Sequence, residues 1–157
     1  MLTQELKPFA PWLGGHGQTI WAAKCARSDL PSAPHQRWQR ERWSSPDGDF
    51  IDVDTLWGDA NAPHVVMFHG LEGSSSSHYA KAWAFATRQR GWTMRVVHFR
   101  GCSGEINRMP RAYHSGDALE LDWVLKKAHE QAAGAALYGV GISLGGNALM
   151  KWLGTLG

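Results

Sequence analysis

The chain has few cysteines, no marked excess of either charge and no long apolar run. Cys25 and Cys102 lie far apart and form no C-x-x-C pair, so they indicate neither a disulfide framework nor a zinc site. The eight histidines form no H-x-x-x-H or H-E-x-x-H motif. The formal net charge is only +2, and Lys and Arg do not gather into a stripe that could follow a phosphate backbone. We therefore expect no metal, no cofactor and no nucleic-acid partner.

The N-terminal stretch "MLTQELKPFAPWLGGHGQTIWAA" lacks the apolar run of a signal peptide or a membrane span, because Glu5 and Lys7 interrupt it early. This predicts a cytoplasmic protein without a transmembrane segment. Hydrophobic residues make up 43% of the 157 residues and charged residues 19%, which is the balance of a folded domain. The nine tryptophans favour a large aromatic core over a surface that stacks bases or sugars. These features leave the oligomeric state open.

The composition changes along the chain and predicts two regions. Residues 1–35 are rich in Gly and Pro and show no periodicity, so we expect an N-terminal arm that packs through Trp12, Ile20 and Trp21. Residues 36–157 carry the patterns of strands and helices. We interpret them as the N-terminal half of one α/β domain.

The second region begins with a turn and continues as alternating strands and helices. Pro46-Asp47-Gly48 separates two extended segments, in which apolar residues stand among aspartates, and this predicts an antiparallel hairpin with one solvent-exposed face. Three unalternated apolar runs then predict parallel strands that are buried on both faces. We expect hairpin strands at 37–44 and 49–57, buried strands at 64–68, 94–99 and 136–142, and helices at 79–90, 115–131 and from Ser143 or just after it.

Gly141-Ile142-Ser143-Leu144-Gly145 has the form G-x-S-x-G and lies between a predicted buried strand and a predicted helix. This setting is typical of a serine nucleophile on a sharp strand-to-helix turn, where small residues keep the strand and the helix apart. Dinucleotide binding is the alternative, because Gly139, Gly141 and Gly145 also precede a helix. That fingerprint, however, requires its third glycine at position 144.

The loop "HGLEGSSSSH" at 69–78 follows the first buried strand and is a candidate for half of an oxyanion hole. Such a hole uses the backbone N–H of the residue after the nucleophile, here Leu144, and a second N–H from an earlier loop. His69 and Gly70 place the N–H of Leu71 as that second donor. A Gly- and Ser-rich surface loop is the alternative. For the loop at 99–117, we favour a structural brace through Arg100, Glu105 and Arg108 over an acyl pocket.

Three segments, "VVMFHGLEGSSSSHYAKAWA", "VVHFRGCSGEINRMPRAYHSGD" and "YGVGISLGGNALMKWLG", resemble the α/β-hydrolase superfamily, and in particular AB hydrolase family 4, the YheT-like hydrolases. The resemblance runs from about residue 10 to the end and covers the N-terminal portion of that fold. It implies a serine hydrolase of carboxylic esters, including lipid esters, with Ser143 as nucleophile and Leu71 and Leu144 as oxyanion-hole donors.

The acid and the histidine of that family's triad follow the nucleophile in the chain order Ser, Asp, His, and this sequence has no such positions. We do not expect an upstream histidine to replace the missing base. The chain is therefore expected to be an inactive N-terminal fragment of an ester hydrolase. The alternative is a non-catalytic remnant or binding module that retains the strand-turn-helix architecture.

Overall fold

The computed structural model describes residues 14–24 and 37–157, and the chain divides into two units at 1–31 and 32–157. In the first unit, Gly14–Lys24 forms helix α1, within the region that the sequence predicted as an N-terminal arm. The side chains of Ile20 and Trp21 are 61% and 44% exposed, and the packing of the arm through them stays a prediction. Trp12 lies outside the described residues, and the domain boundary at 35/36 stays a prediction.

The second unit contains a five-stranded mixed sheet, as the sequence predicted. The sheet order is β1-β2-β4-β3-β5. β2 is antiparallel to both of its neighbours, β1 and β4, and β4, β3 and β5 run parallel to one another. Val66 at the centre of β3 pairs with Arg95 on β4 and Gly139 on β5. The strands are β1 Gln39–Ser44, β2 Phe50–Leu56, β3 His64–Phe68, β4 Thr93–His98 and β5 Leu137–Gly141.

The predicted turn joins β1 and β2, and Gly48 adopts φ 83°, a conformation that glycine reaches without strain. The predicted exposed face is wrong for β2, since all seven of its residues are buried. The reason is that β2 lies between β1 and β4, and its aspartates are neutralised by arginines on β1. Arg40 is 2.7 Å from Asp54, and Arg42 is 2.8 Å from Asp52. The exposed part of the hairpin is β1.

Helices cover both faces of the sheet because each carries an apolar stripe. Helix α2, His78–Arg88, packs on the face that presents Met67, Met94 and Val96. Helices α3, Ala118–Ala132, and α4, Leu144–Thr155, pack on the opposite face. The core of that face includes Val66, Phe68, Val97, Phe99, Leu121, Val124, Ala128 and Ala148. Within residues 14–24 and 37–157, no helix has the length and apolarity needed to cross a membrane.

Helix α3 begins three residues later than predicted. The residue before it, Asp117, is buried and accepts hydrogen bonds from the guanidinium of Arg111 at 2.6 and 2.7 Å. This ion pair holds residues 111–117 as a loop above the carboxyl ends of the parallel strands. Because β3, β4 and β5 are parallel, their carboxyl ends and the loops that follow lie at one edge of the sheet. Functional loops of such sheets are found at this edge.

Candidate active site

Ser143 connects β5 to α4 with φ 51° and ψ −114°, a backbone conformation that is strained for a residue with a side chain. The turn is fixed on both sides. The Ile142 N–H donates to the carbonyl of Phe68 at 3.0 Å, and the Asn147 N–H donates to the carbonyl of Ser143 at 3.0 Å. Such strain costs on the order of 1–3 kcal/mol and persists only where surrounding contacts impose it. The turn leaves the Ser143 side chain exposed at the start of α4.

The two glycines of the G-x-S-x-G motif are required by close backbone approaches. A Cβ on Gly141 would lie 2.5 Å from the Cα of Gly146, so a glycine is needed here for the strand and the helix to approach each other. A Cβ on Gly145 would collide with the carbonyl groups of Phe68 and His69. Gly145 therefore allows α4 to approach the end of β3, a contact that the motif alone did not indicate.

The loop after β3 reaches the nucleophile turn. A Cβ on Gly70 would lie 3.4 Å from the Cβ of Ser143. The Gly70 N–H donates to the hydroxyl of Tyr79 at 3.2 Å. Among the described residues, the backbone N–H groups of Leu71 and Leu144 have no hydrogen-bond acceptor. Two unpaired donors thus directly follow the two residues that approach each other, Gly70 and Ser143.

His69 is fully buried and its ring is held by two backbone groups. Its Nε2 accepts the N–H of Phe99 at 3.1 Å, so the proton must be on Nδ1, which donates to the carbonyl of Gly70 at 2.6 Å. Burial lowers the pKa of His69 to about 4, and the ring is neutral at pH 7. With both nitrogens engaged, His69 links the loop after β3 to the end of β4.

The remaining histidines near this edge of the sheet have other contacts. His98 is buried, and its Nε2 is 2.8 Å from Oδ2 of Asp54. His78 packs edge-on against the ring of Tyr79, and Nδ1 of His114 accepts the N–H of Gly116. In residues 14–24 and 37–157, no histidine is hydrogen bonded to the hydroxyl of Ser143, and no cluster of three metal-ligating side chains occurs.

Comparisons with known proteins agree on one superfamily, although no protein-family model matches the chain. The chain is 48% identical over 148 residues to "Putative esterase YheT" of Escherichia coli strain K12, covering 92% of this chain and 42% of that protein. It is 28% identical over 165 residues to "Phospholipase ABHD3" of Homo sapiens, covering 100% and 39%. XC6422 of Xanthomonas campestris, "a member of a/b serine hydrolase without lid", superposes with a TM-score of 0.61 at 19% identity, covering 78% and 58%.

The chain belongs to the α/β-hydrolase superfamily. The predicted resemblance and the predicted fold class are thereby confirmed, and the chain covers the N-terminal portion of the α/β-hydrolase fold. It spans less than half the length of the curated relatives named above.

In this α/β hydrolase, the loop at 99–117 braces the hairpin, as the sequence analysis favoured. The guanidinium of Arg100 is buried and contacts Asp49 at 2.8 Å and Glu120 at 2.7 Å. Glu105 pairs with Arg42 at 2.7 Å. Arg108 contributes through its backbone N–H, which donates to Asp49, and not through an ion pair. The loop therefore ties β2 to the start of α3.

Sequence reasoning did not identify two groups of residues that hold the candidate site together. Asp54 on β2 accepts the hydroxyl of Ser75 at 2.5 Å, which anchors the loop 69–78 to the hairpin. Tyr113 in the loop 111–117 contacts Glu72, and Asn147 on α4 contacts Ser115 in the same loop. No local sequence pattern indicated the partners of Tyr113.

Proposed function

We propose that this chain supplies the nucleophile and the oxyanion hole of a serine hydrolase that cleaves carboxylic esters, with short- or medium-chain acyl groups or lipid esters as the substrate class. The backbone of Ser143 carries the proposal. A strained, exposed serine between the end of a parallel strand and a helix N-terminus is what the attack of a hydroxyl on an acyl carbon requires. The names of the relatives, esterase and phospholipase, support an ester substrate.

In the proposed reaction, Oγ of Ser143 forms a bond to the acyl carbon while its proton passes to a base. The carbonyl oxygen becomes an oxyanion, which accepts hydrogen bonds from the N–H groups of Leu71 and Leu144. Each such donor contributes about 3–4 kcal/mol to the stability of the transition state. The C–O bond to the alcohol then breaks, the alcohol leaves with the proton, and water hydrolyses the acyl-enzyme by the reverse sequence.

The base in this scheme is a histidine outside the described residues, oriented by a carboxylate, since no described histidine is hydrogen bonded to Ser143. A serine hydroxyl without a base is a weak nucleophile. We therefore expect residues 1–157 alone to show negligible ester hydrolysis, and the activity to belong to the complete gene product. The neutral ring of His69 serves as a positioning group for the loop 69–73.

The test uses the complete gene product with Ser143→Ala, and with Ser44→Ala on the exposed end of β1 as the matched control. We expect Ser143→Ala to abolish hydrolysis of p-nitrophenyl butyrate and labelling by a fluorophosphonate probe, and Ser44→Ala to retain both. Hydrolysis by the Ser143→Ala protein at the rate of the unsubstituted protein would refute the assignment of the nucleophile.

A second candidate function is a non-catalytic remnant or binding module. The observation in its favour is that, among the described residues, no side chain forms a hydrogen bond with the Ser143 hydroxyl that could activate it. The fluorophosphonate probe separates the two functions because it reacts only with activated serines. Absence of label on the Ser143 peptide of the complete gene product would favour the module.

A further inference from the structure

Glu72, which follows Leu71 in the loop after β3, adopts φ 51°. This left-handed conformation is uncommon for a residue with a long side chain and costs about 1 kcal/mol or more. Leu71 and Glu72 are the two central residues of a turn that the Gly73 N–H closes by donating to the carbonyl of Gly70 at 3.0 Å. Contacts that hold Glu72 in this conformation therefore also hold the turn that contains the Leu71 N–H.

Tyr113 holds Glu72 by two hydrogen bonds. Its hydroxyl accepts the Glu72 N–H at 3.0 Å and donates to Oε1 of Glu72 at 2.8 Å. The ring itself is fixed, since it stacks on Phe99 with a centroid distance of 5.2 Å and an interplanar angle of 5°. Phe99 is 1% exposed at the end of β4, so the Tyr113 hydroxyl is anchored to the core of the sheet. The Cys102 thiol is the third polar group against this hydroxyl.

The same loop contacts the nucleophile helix two residues further on. The side-chain amide of Asn147 donates to the carbonyl of Ser115 at 2.9 Å. Asn147 lies one turn into α4, and its backbone N–H donates to the carbonyl of Ser143 at 3.0 Å. The segment Tyr113–Ser115 thus contacts the loop that carries the Leu71 N–H at one end and the helix that begins with Leu144 at the other.

We propose that Tyr113 and Asn147 are positioning residues, and that the segment Tyr113–Ser115 is a brace that fixes the spacing between the oxyanion donors Leu71 and Leu144. The inference rests on the proposed ester hydrolysis. Neither side chain needs to touch the substrate. The brace acts on the donors, whose hydrogen bonds strengthen as charge develops on the carbonyl oxygen in the transition state. Its loss should therefore reduce turnover more than substrate binding.

The first test is Tyr113→Phe in the complete gene product, which retains the ring stacked on Phe99 and removes only the hydroxyl. We expect kcat for p-nitrophenyl butyrate to fall roughly tenfold, because a misplaced donor loses part of the effect of a deleted one, while KM changes less than about twofold. An aryl trifluoromethyl ketone forms a tetrahedral oxyanion with an active serine. Its inhibition constant should rise by the same factor as kcat falls.

Tyr138→Phe on β5 is the matched control, because the Tyr138 ring stacks on Trp92 and its hydroxyl has no hydrogen bond in the described residues. Asn147→Ala is the second variant and should reproduce the loss in kcat with the same inhibitor response. Since both residues hold one brace, the double variant should lose less than the product of the two single losses. These readouts would not change in this way if Tyr113 only stabilised the fold.

Two outcomes separate this inference from the proposed function. If Ser143→Ala is inactive while Tyr113→Phe and Asn147→Ala keep both kcat and the inhibition constant, the brace is refuted and the hydrolase is retained. If Ser143→Ala retains activity, the proposed function fails first. A fall in melting temperature and folded yield, with unchanged kcat per folded molecule, would also refute the brace.

Discussion

The Cα of Gly145 faces the carbonyl oxygen of Phe68 so closely that no side-chain carbon fits between them. This contact joins the first turn of α4 to the end of β3. It also places the nucleophile turn beside the loop 69–73, since the Ile142 N–H donates to the same carbonyl. Gly145 thus sets the distance between the two halves of the candidate site.

Gly145→Ala should therefore lower the free energy of unfolding by about 3 kcal/mol, because the colliding groups are backbone atoms that cannot rotate away. The measurement is urea unfolding of the complete gene product. Gly154→Ala is the matched control, since a Cβ there meets nothing within 4 Å and alanine is the better helix former. Equal stabilities of the two variants would contradict the close approach of α4 to β3 at Gly145.

We expect the buried ion pairs of Arg100 to contribute more to the free energy of unfolding than the other ion pairs of the hairpin. Its guanidinium is 3% exposed and lies between Asp49 and Glu120, whose side chains are also buried. Arg100→Met would remove the cation that contacts Asp49 and leave Glu120 only Arg111, at 3.9 Å. The pKa of Glu120 is already raised by burial, and removal of its partner would raise it further. We expect a loss of about 3 kcal/mol in the free energy of unfolding.

The control for this prediction is Lys126→Ala, which removes the ion pair with Asp122 on the surface of α3. Exposed pairs of this type contribute little because water and salt screen them. The melting temperature of the complete gene product should fall clearly for Arg100→Met and stay nearly constant for Lys126→Ala. A small change for Arg100→Met would show that the buried carboxyl groups find other partners.

The positions of the parallel strands and of the turn at Ser143 could be predicted from the sequence because their signals are local. The burial of β5 on both faces was predicted wrongly, because among the described residues β5 lies at the edge of the sheet and is only partly buried. A strand buried on both faces has a continuous apolar run, and "HVVMF" contains such a run and is buried throughout. The constraint at Gly141 is equally local, since the residues that approach each other are only a few positions apart.

The buried aspartates of β2 were missed because each was judged by its own charge. Once the turn at Pro46-Asp47-Gly48 is placed, the register of the hairpin sets Arg42 opposite Asp52 and Arg40 opposite Asp54. Cross-strand pairs of opposite charge stabilise a sheet, so the pairing was available from the sequence. The register of the two strands, considered as a pair, predicts that these aspartates are neutralised and can be buried.

The positions of Tyr113 and Asn147 could not be predicted in this way. Tyr113 contacts Glu72 across 41 residues, and Asn147 contacts Ser115 across 32. Such contacts depend on which loops and helices meet in the folded chain. The hydrophobic periodicity of a sequence does not predict this. Helix α1 was missed for a different reason, because "GGHGQTIWAAK" has no apolar stripe at helical spacing.

The buried ring of His69 gives the fold a pH dependence in a defined window. Its pKa is about 4 in the folded protein, because burial disfavours the charged form, against about 6.5 for an ordinary histidine. Between these values the unfolded chain binds more protons than the folded one. The stability contributed by the neutral ring is therefore complete above about pH 6.5 and is lost as the pH falls towards 4. The loss amounts to about 3 kcal/mol.

Urea unfolding of the complete gene product at pH 7 and at pH 4.5 measures this loss. His69→Gln removes the titrating group while its side-chain amide can still accept the Phe99 N–H, and it should lose less stability than the unsubstituted protein over this interval. His78→Gln, at the exposed start of α2, should lose as much as the unsubstituted protein. If His69→Gln and the unsubstituted protein lose the same amount, the ring of His69 is not held neutral by the fold. The same conclusion would follow from an NMR titration of that ring with a midpoint near pH 6.5.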